Sequence, residues 1–250
     1  VSCTALLHDL GHAPFSHVTE AIFGSHHEDW TARIILDPGT RIHQVLQGYA
    51  RDLPHQIVKC MNYRATEKFY SQIVSSQLDA DRFDYLLRDS LMTGVKYGVF
   101  DLERVILGLE VARGSGRNEI VVSEKGFYAV EEYLLSRYHM YRQVYYHKTV
   151  SAAGAMLKAL FRRAKSLLAK RIPLHAPDGH PLTKLLRSQK MEVGEYTSLD
   201  DADMVVFLKE WSRSEDPVLS MLAKGLINRR LFSAIELPGP VPASKLRQKF

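Results

Sequence analysis

From Glu124 to Arg171 the only helix breakers are Gly126 and Gly154, and apolar residues keep a helical period throughout. One continuous helix is expected there, reaching roughly 70 Å at about 1.5 Å per residue and crossing whatever fold forms around it. Most other segments carry the same period. Further helices are expected near residues 2–9, 27–36, 54–61, 66–76, 79–92, 101–107, 181–190, 200–212 and 215–226. The one good strand signal is LEVA and EIVV, joined by the turn-rich RGSGRN, which reads as a small hairpin. Pro173, Pro177, Gly179 and Pro181 mark a connector, so residues 1–172 read as a core and 173–250 as a smaller, mostly helical C-terminal lobe. The tail from Pro238 reads as loose, and no tandem repeat is visible.

A chain of 250 residues with 46% hydrophobic and 24% charged residues can bury a sizeable core, which excludes a disordered tail, a fibrous repeat and a disulfide-stapled miniprotein. The formal net charge of +5 suits a polyanionic partner, and nucleic acid, nucleotide and acidic lipid all stay open on charge alone. Cys3 and Cys60 are too few for a disulfide framework or a zinc ribbon, which points to a reducing compartment with cytosol as the default. No apolar run approaches the roughly 20 residues of a membrane span, and no signal segment opens the chain. The opening Val1 lies inside an apolar segment already under way, so further sequence is expected upstream.

Chemistry concentrates in three clusters. Five of the 11 histidines (His8, His12, His17, His26 and His27) fall in the first 27 residues beside Asp9 and Glu20. Within HDLGHAPFSH, His8 and Asp9 are expected at a helix C-terminus, with Gly11 ending the helix and Pro14 turning His17 back towards them. Imidazole and carboxylate together bind first-row divalent metals or shuttle protons near neutral pH. The second cluster, SSQLDADRFDYLLRDS, places Asp81, Asp84, Tyr85, Arg88 and Asp89 on one side of a helix and Phe83, Leu86 and Leu87 on the other. A solvated face laced by Asp84 and Arg88 would give the same pattern. Beside a His-Asp pair, Asp81 is the expected additional metal ligand. The third cluster, SRYHMYRQVYYHK, puts Arg137, Tyr141, Tyr145 and Lys148 on one face, where cations can hold phosphates and a tyrosine ring can stack on a base. Tyrosines packed between helices with arginine snorkelling outwards would also explain it.

Taken together, HDLGHAPFSH and LDADRFDYLLRDS resemble the HD-domain superfamily of metal-dependent phosphohydrolases, in the branch of deoxynucleoside triphosphate triphosphohydrolases. The resemblance spans most of residues 1–150 and continues more faintly into YTSLDDADMVVFLKEW. It implies an all-α HD-domain helical bundle, with the long central helix, small β-hairpin and C-terminal lobe read above. It also implies hydrolysis of a dNTP to deoxynucleoside and triphosphate. His8, Asp9 and Asp81 match three metal ligands of the family, and a fourth, a histidine, is expected before Val1. Fe, Mn, Zn, Co or Mg all suit such ligands or the substrate phosphates. His27 matches the general acid and Glu20 the carboxylate that orients it, while His12 and His17 match phosphate contacts. Arg82 stands where some relatives carry lysine, and Arg137 matches a clamp on the triphosphate. Tyr85 and Asp89 are expected to face the sugar and Tyr145 the base; Tyr141 stands where the mammalian relative has histidine. Many relatives are homo-oligomers activated by a nucleotide effector, for which Arg104, Lys125, His147, Lys148 and Arg229 are candidate contacts.

Two other readings compete. One is an HD phosphohydrolase of different specificity, a nucleotidase or phosphodiesterase. The other is a non-catalytic regulatory module that binds nucleotide or nucleic acid through the basic third cluster. A nucleic-acid partner is less favoured than a dNTP, and no membrane partner is expected.

Overall fold

The computed structural model describes residues 1–234 except 25, 66, 114–117 and 176–178. In chain order these residues form α1 (Ser2–Leu7), α2 (His17–Phe23), α3 (His27–Leu36), α4 (Arg41–Tyr49), α5 (Leu53–Met61), α6 (Lys68–Val74), α7 (Ala80–Thr93), α8 (Leu102–Leu107), strands β1 (Leu109–Ala112) and β2 (Glu119–Val122), then α9 (Phe127–Met140), α10 (Lys148–Ala169), α11 (Pro181–Leu186), α12 (Val193–Thr197), α13 (Asp201–Trp211) and α14 (Pro217–Ile227). The fold is helical, as the periodicity indicates. The strands pair antiparallel, Leu109 opposite Val122 and Ala112 opposite Glu119, as the hairpin signal requires. Residues 114–117 of its turn, Pro177 of the connector and the tail from Pro238 lie outside the described residues.

The stretch from Glu124 to Arg171 is not one helix. A short 3-10 turn at Glu124–Gly126 leads into α9, which passes into a π-turn at Tyr141–Tyr145. The Tyr146 N–H bonds the Tyr141 carbonyl five residues back, at 2.9 Å. The chain then leaves helical geometry at His147 (ψ 137°), whose ring accepts the Thr149 N–H at 3.3 Å and caps a new helix, α10. The expected single long helix is therefore two helices separated at Tyr146 and His147. No glycine or proline marks the break. The two tyrosines that bound the π-turn, Tyr141 and Tyr145, both line a cavity.

Other boundaries follow local chemistry. α7 opens where the Asp79 carboxylate accepts the Arg82 N–H at 2.7 Å, and it ends at Gly94. α13 opens on a reciprocal capping box between Asp200 and Asp203. α11 stops at Leu186, short of the expected residue 190. α2, α4 and α12 are not among the helices expected from sequence.

Three apolar clusters hold these elements. Phe83, Leu86, Phe100, Val105, Tyr133 and Met140 join α7, α8 and α9. Ile35, Leu46 and Ile57 join α3, α4 and α5. The largest is built on α10, whose buried face (Met156, Leu157, Leu160, Phe161, Ala164 and Leu167) repeats at helical spacing and meets Leu182, Phe207, Trp211 and Leu219. Ala13 and Trp30 belong to the same cluster, so the helices after residue 172 pack directly against the segment bearing the opening histidines. Arg163 ties α10 to the cap of α14 through a two-pronged pair with Asp216, Nε to Oδ1 at 3.0 Å.

Phe161 is 1% exposed and packs edge-on to both Phe23 and Trp211. Phe161→Ala is expected to cost about 3–5 kcal/mol in urea unfolding, because the rigid helices around it cannot close the void.

Candidate active site

The opening histidine run is a rigid turn held from beneath. α1 ends at His8, whose Nδ1 lies 2.9 Å from the Ala5 carbonyl one turn back. With Nδ1–H donating there, Nε2 is left to face outward. It stands 3.2 Å from the Asp9 Oδ1 and 3.6 Å from the Asp81 Oδ1. Beneath this turn the Thr31 hydroxyl donates to the His8 carbonyl at 2.8 Å and accepts the Gly11 N–H at 2.9 Å. Gly11 is thus not the helix terminator expected from sequence. It is a point of close approach, where a Cβ would fall 2.0 Å from the His27 carbonyl oxygen.

The next turn is sharper. Phe15 (φ 59°) and Ser16 (φ 47°) both occupy the left-handed region, costly for side-chain-bearing residues. Two bonds hold it: the Asp201 carboxylate accepts the Phe15 N–H at 2.9 Å, and the Thr19 hydroxyl donates to the Pro14 carbonyl at 2.7 Å. The Tyr196 hydroxyl donates to the Gly11 carbonyl at 2.7 Å, while its ring stacks on Trp30 at 3.7 Å. Thr31, Tyr196 and Asp201 are supports that sequence reasoning did not single out. Their partners are backbone groups of the turn, and no residue pattern announces such bonds.

Around the turn the imidazoles gather. Asp9 Oδ1 lies 3.8 Å from Nε2 of both His12 and His27, and the rings of His12 and His27 stack at 4.1 Å. Glu20 receives His27 twice on one oxygen, from the backbone N–H at 2.8 Å and from Nδ1 at 2.5 Å. Its other oxygen lies 3.1 Å from the His17 Nδ1. Burial alone would raise the Glu20 carboxyl, but bonds from His17 and His27 outweigh it and pull the pKa down to about 2. Burial and the neighbouring His27 push the His12 imidazole down, and its Nδ1 is buried with no hydrogen-bond partner.

The opposite wall comes from α7 and the π-turn. Asp81, Arg82, Tyr85 and Asp89 all line a cavity of about 520 Å³ shared with His8, Asp9, His12, His17 and His27. Arg82 is held by the fully buried Asp79, a supporting residue also missed from sequence although its capping position was legible. The Asp84–Arg88 pair instead faces solvent at 2.7 Å, so for those two residues the solvated-face reading holds. Tyr141 and Tyr145 enter the cavity from the π-turn, with rings 5.0 Å apart, and the Tyr145 hydroxyl donates to Asp89 at 2.7 Å. Burial and Asp89 push the Tyr145 phenol well above its ordinary range, so it remains a donor. Arg137 does not line the cavity. Its Nη1 donates to the Gln77 side chain at 2.7 Å, and its guanidinium stands 5.6 Å from the Tyr141 ring centre, behind the wall.

Comparison with known proteins finds relatives in sequence and fold. Residues 100–196 match the family model of the HD associated region. The chain is 40% identical over 233 residues to the uncharacterized protein YwfO of Bacillus subtilis, covering 93% of this chain and 52% of that one. It is 28% identical to the deoxynucleoside triphosphate triphosphohydrolase SAMHD1 homolog of Dictyostelium discoideum, covering 94% of this chain and 44% of the relative. The crystal structure of a phosphohydrolase from Bacteroides thetaiotaomicron superposes with a TM-score of 0.82 at 32% identity, over 98% of this chain and 61% of that one. Together these matches support the HD-domain phosphohydrolase family. The chain spans about half the length of the curated relatives it matches.

HD phosphohydrolases are generally dependent on a divalent metal, and the residues present fit one. His8, Asp9 and Asp81 each offer a donor atom, all within 4.8 Å of one another. One imidazole nitrogen and two carboxylates suit a first-row divalent ion. The Asp81 carboxylate 3.6 Å away raises the His8 imidazole, against burial, to about 9, and a cation would take the place of that proton. His12, His17, Glu20 and His27 form a second group of donors within 4.8 Å, but there the Glu20–His27 hydrogen bond already engages two of them.

The candidate effector contacts are dispersed over the fold. Arg104 lies on α8, Lys125 in the 3-10 turn before α9 and Arg229 after α14. His147 caps α10, and Lys148 lines a small cavity of about 240 Å³ with Thr149 and residues 231–234.

Removing the Tyr196 hydroxyl leaves the buried Gly11 carbonyl without its partner. Tyr196→Phe is expected to lower stability by about 1–3 kcal/mol and to speed amide hydrogen exchange selectively in residues 10–17. Hydrogen-exchange mass spectrometry reads both effects.

Proposed function

We propose that this chain carries the catalytic centre of a metal-dependent hydrolase that splits deoxynucleoside triphosphates into deoxynucleoside and triphosphate. The observation that carries the reading is the convergence of two groups on one cavity. His8 Nε2 meets Asp9 and Asp81, and beside them stands the Glu20–His27 pair at 2.5 Å.

A divalent ion held by His8, Asp9 and Asp81 would supply an acidified water and charge stabilisation at the α-phosphorus. The remaining roles belong to this chain's own side chains. Glu20, ionised across the physiological range, holds the His27 Nδ1 so that Nε2 faces the cavity and can deliver a proton to the departing 5′ oxygen. His12 and His17 lie alongside to contact the phosphates. Arg82, pinned by Asp79, presents a fixed cation to the triphosphate, and Arg137 adds positive potential from behind Tyr141. The aromatic wall of Tyr85, Tyr141 and Tyr145 suits the nucleoside, and the Tyr145–Asp89 bond fixes the side that would face the sugar. The relatives named for dNTP hydrolysis give the substrate class its support.

The test is product analysis. Each dNTP is incubated with the protein and Mn²⁺ or Mg²⁺, and the products are separated by ion exchange. Deoxynucleoside and intact triphosphate are expected, with turnover reduced by about a thousandfold or more in His8→Ala, Asp81→Ala and His27→Ala. Orthophosphate or pyrophosphate as product would indicate an HD phosphohydrolase of another specificity. Turnover persisting in both His8→Ala and Asp81→Ala would refute the assignment, and metal-independent binding without turnover would favour a regulatory module.

A further inference from the structure

A second cavity, of about 890 Å³, lies at the end of α10 and against α11, and it shares no lining residue with the cavity of the His-Asp turn. Its apolar side is formed by Leu168, Ile172, Leu174 and Leu186. Five basic side chains surround it (Lys165, Arg171, His180, Lys184 and Arg187), and no carboxylate occurs among the described lining residues. Two of these side chains already have carboxylate partners, Lys184 in Glu195 and His180 in Asp203 at 3.0 Å. Lys165, Arg171 and Arg187 form no ion pair among the described residues. Lys165 places its ammonium 2.6 Å from the Ile22 carbonyl, which accepts one of its three donors, and burial depresses its pKa with no opposing carboxylate. One further lining group, the Thr183 hydroxyl, is buried without a hydrogen-bond partner.

Three basic side chains without a described carboxylate partner give this concavity a positive potential, and an orphaned hydroxyl adds a desolvation cost. A ligand that brings several negative charges and hydrogen-bond acceptors would match both. Guanidinium groups pair best with the oxygens of phosphate, the volume falls within the range of small-molecule sites, and the apolar side needs an uncharged partner. We propose that this cavity is a second binding site, for a phosphorylated small molecule of nucleotide size. Its phosphates would lie between Arg171, Arg187 and Lys165, with the Thr183 hydroxyl donating to them. Its apolar part would rest on Leu168, Ile172 and Leu186. The site stands independently of the reaction proposed for the His-Asp cavity.

Isothermal titration of the protein with adenosine triphosphate and with inorganic triphosphate, in chelator and at low salt, tests this. Arg171 and Arg187 are both exposed, so Arg171→Ala/Arg187→Ala is expected to fold normally, as its melting temperature would show. In that variant the affinity for adenosine triphosphate should fall about tenfold or more, while Arg82→Ala/His17→Ala retains one binding event of wild-type affinity. Binding should weaken as salt rises, and the nucleotide should bind more tightly than inorganic triphosphate because it also fills the apolar side. Thr183→Val should weaken nucleotide binding without lowering the melting temperature. Equal affinity in the wild type and the double-arginine variant would overturn the proposal, as would no binding of either probe at millimolar concentration. A single-stranded oligonucleotide that binds more tightly than the mononucleotide through the same arginines would overturn the small-molecule assignment.

Discussion

The Thr31 hydroxyl donates to the His8 carbonyl and accepts the Gly11 N–H, so one fully buried side chain of α3 ties together both ends of the turn that carries the His-Asp pair. The turn could not sit there with any side chain at Gly11, since α3 passes too close. Such a bond contributes only about 1 kcal/mol net, yet losing it would leave two buried backbone groups unpaired, which costs more. Every distance at the candidate site depends on this anchorage. It places His8 Nε2 within reach of Asp81 from α7, and it sets His12 against His27, which begins α3 itself.

The C-terminal helices take part in the same anchorage. Tyr196 on α12 and Asp201 on α13 bond the turn's backbone at Gly11 and Phe15, and Ala13 and Trp30 sit in the apolar cluster built on α10. The strained backbone at Phe15 and Ser16 persists because these contacts over-determine it. A lobe that sequence reading separates at a proline-rich connector thus supports the segment carrying the opening histidines, through side chains far away in sequence.

Much of this was legible from residues alone because it depends on local pattern. Period and caps located most helices, and alternation with a turn located the hairpin. His8 and Asp9 stood out because a run of imidazoles is costly as plain packing, and Asp81 because a His-Asp pair lacks a carboxylate from a separate helix. What stayed hidden is tertiary. The break at Tyr146 and His147 lies in a segment with no local breaker, directly after the π-turn whose Tyr141 and Tyr145 line the cavity. Asp84 and Asp79 are chemically alike in the sequence, yet one pairs with Arg88 in solvent and the other is buried beneath Arg82. Only packing distinguishes them. Arg137 shares a helical face with Tyr141, yet its guanidinium turns to the Gln77 side chain and the Tyr141 ring and does not line the cavity.

The central claim is that His8, Asp9 and Asp81 hold one cation together. Electron paramagnetic resonance of Mn²⁺ titrated into the protein, compared with His8→Ala, Asp81→Ala and His12→Ala, tests it most directly. The account predicts one tightly bound ion, weakened by about a hundredfold or more in His8→Ala and Asp81→Ala and retained in His12→Ala. Wild-type affinity in both His8→Ala and Asp81→Ala, with binding lost in His12→Ala, would put the ion among His12, His17, Glu20 and His27 and contradict the account.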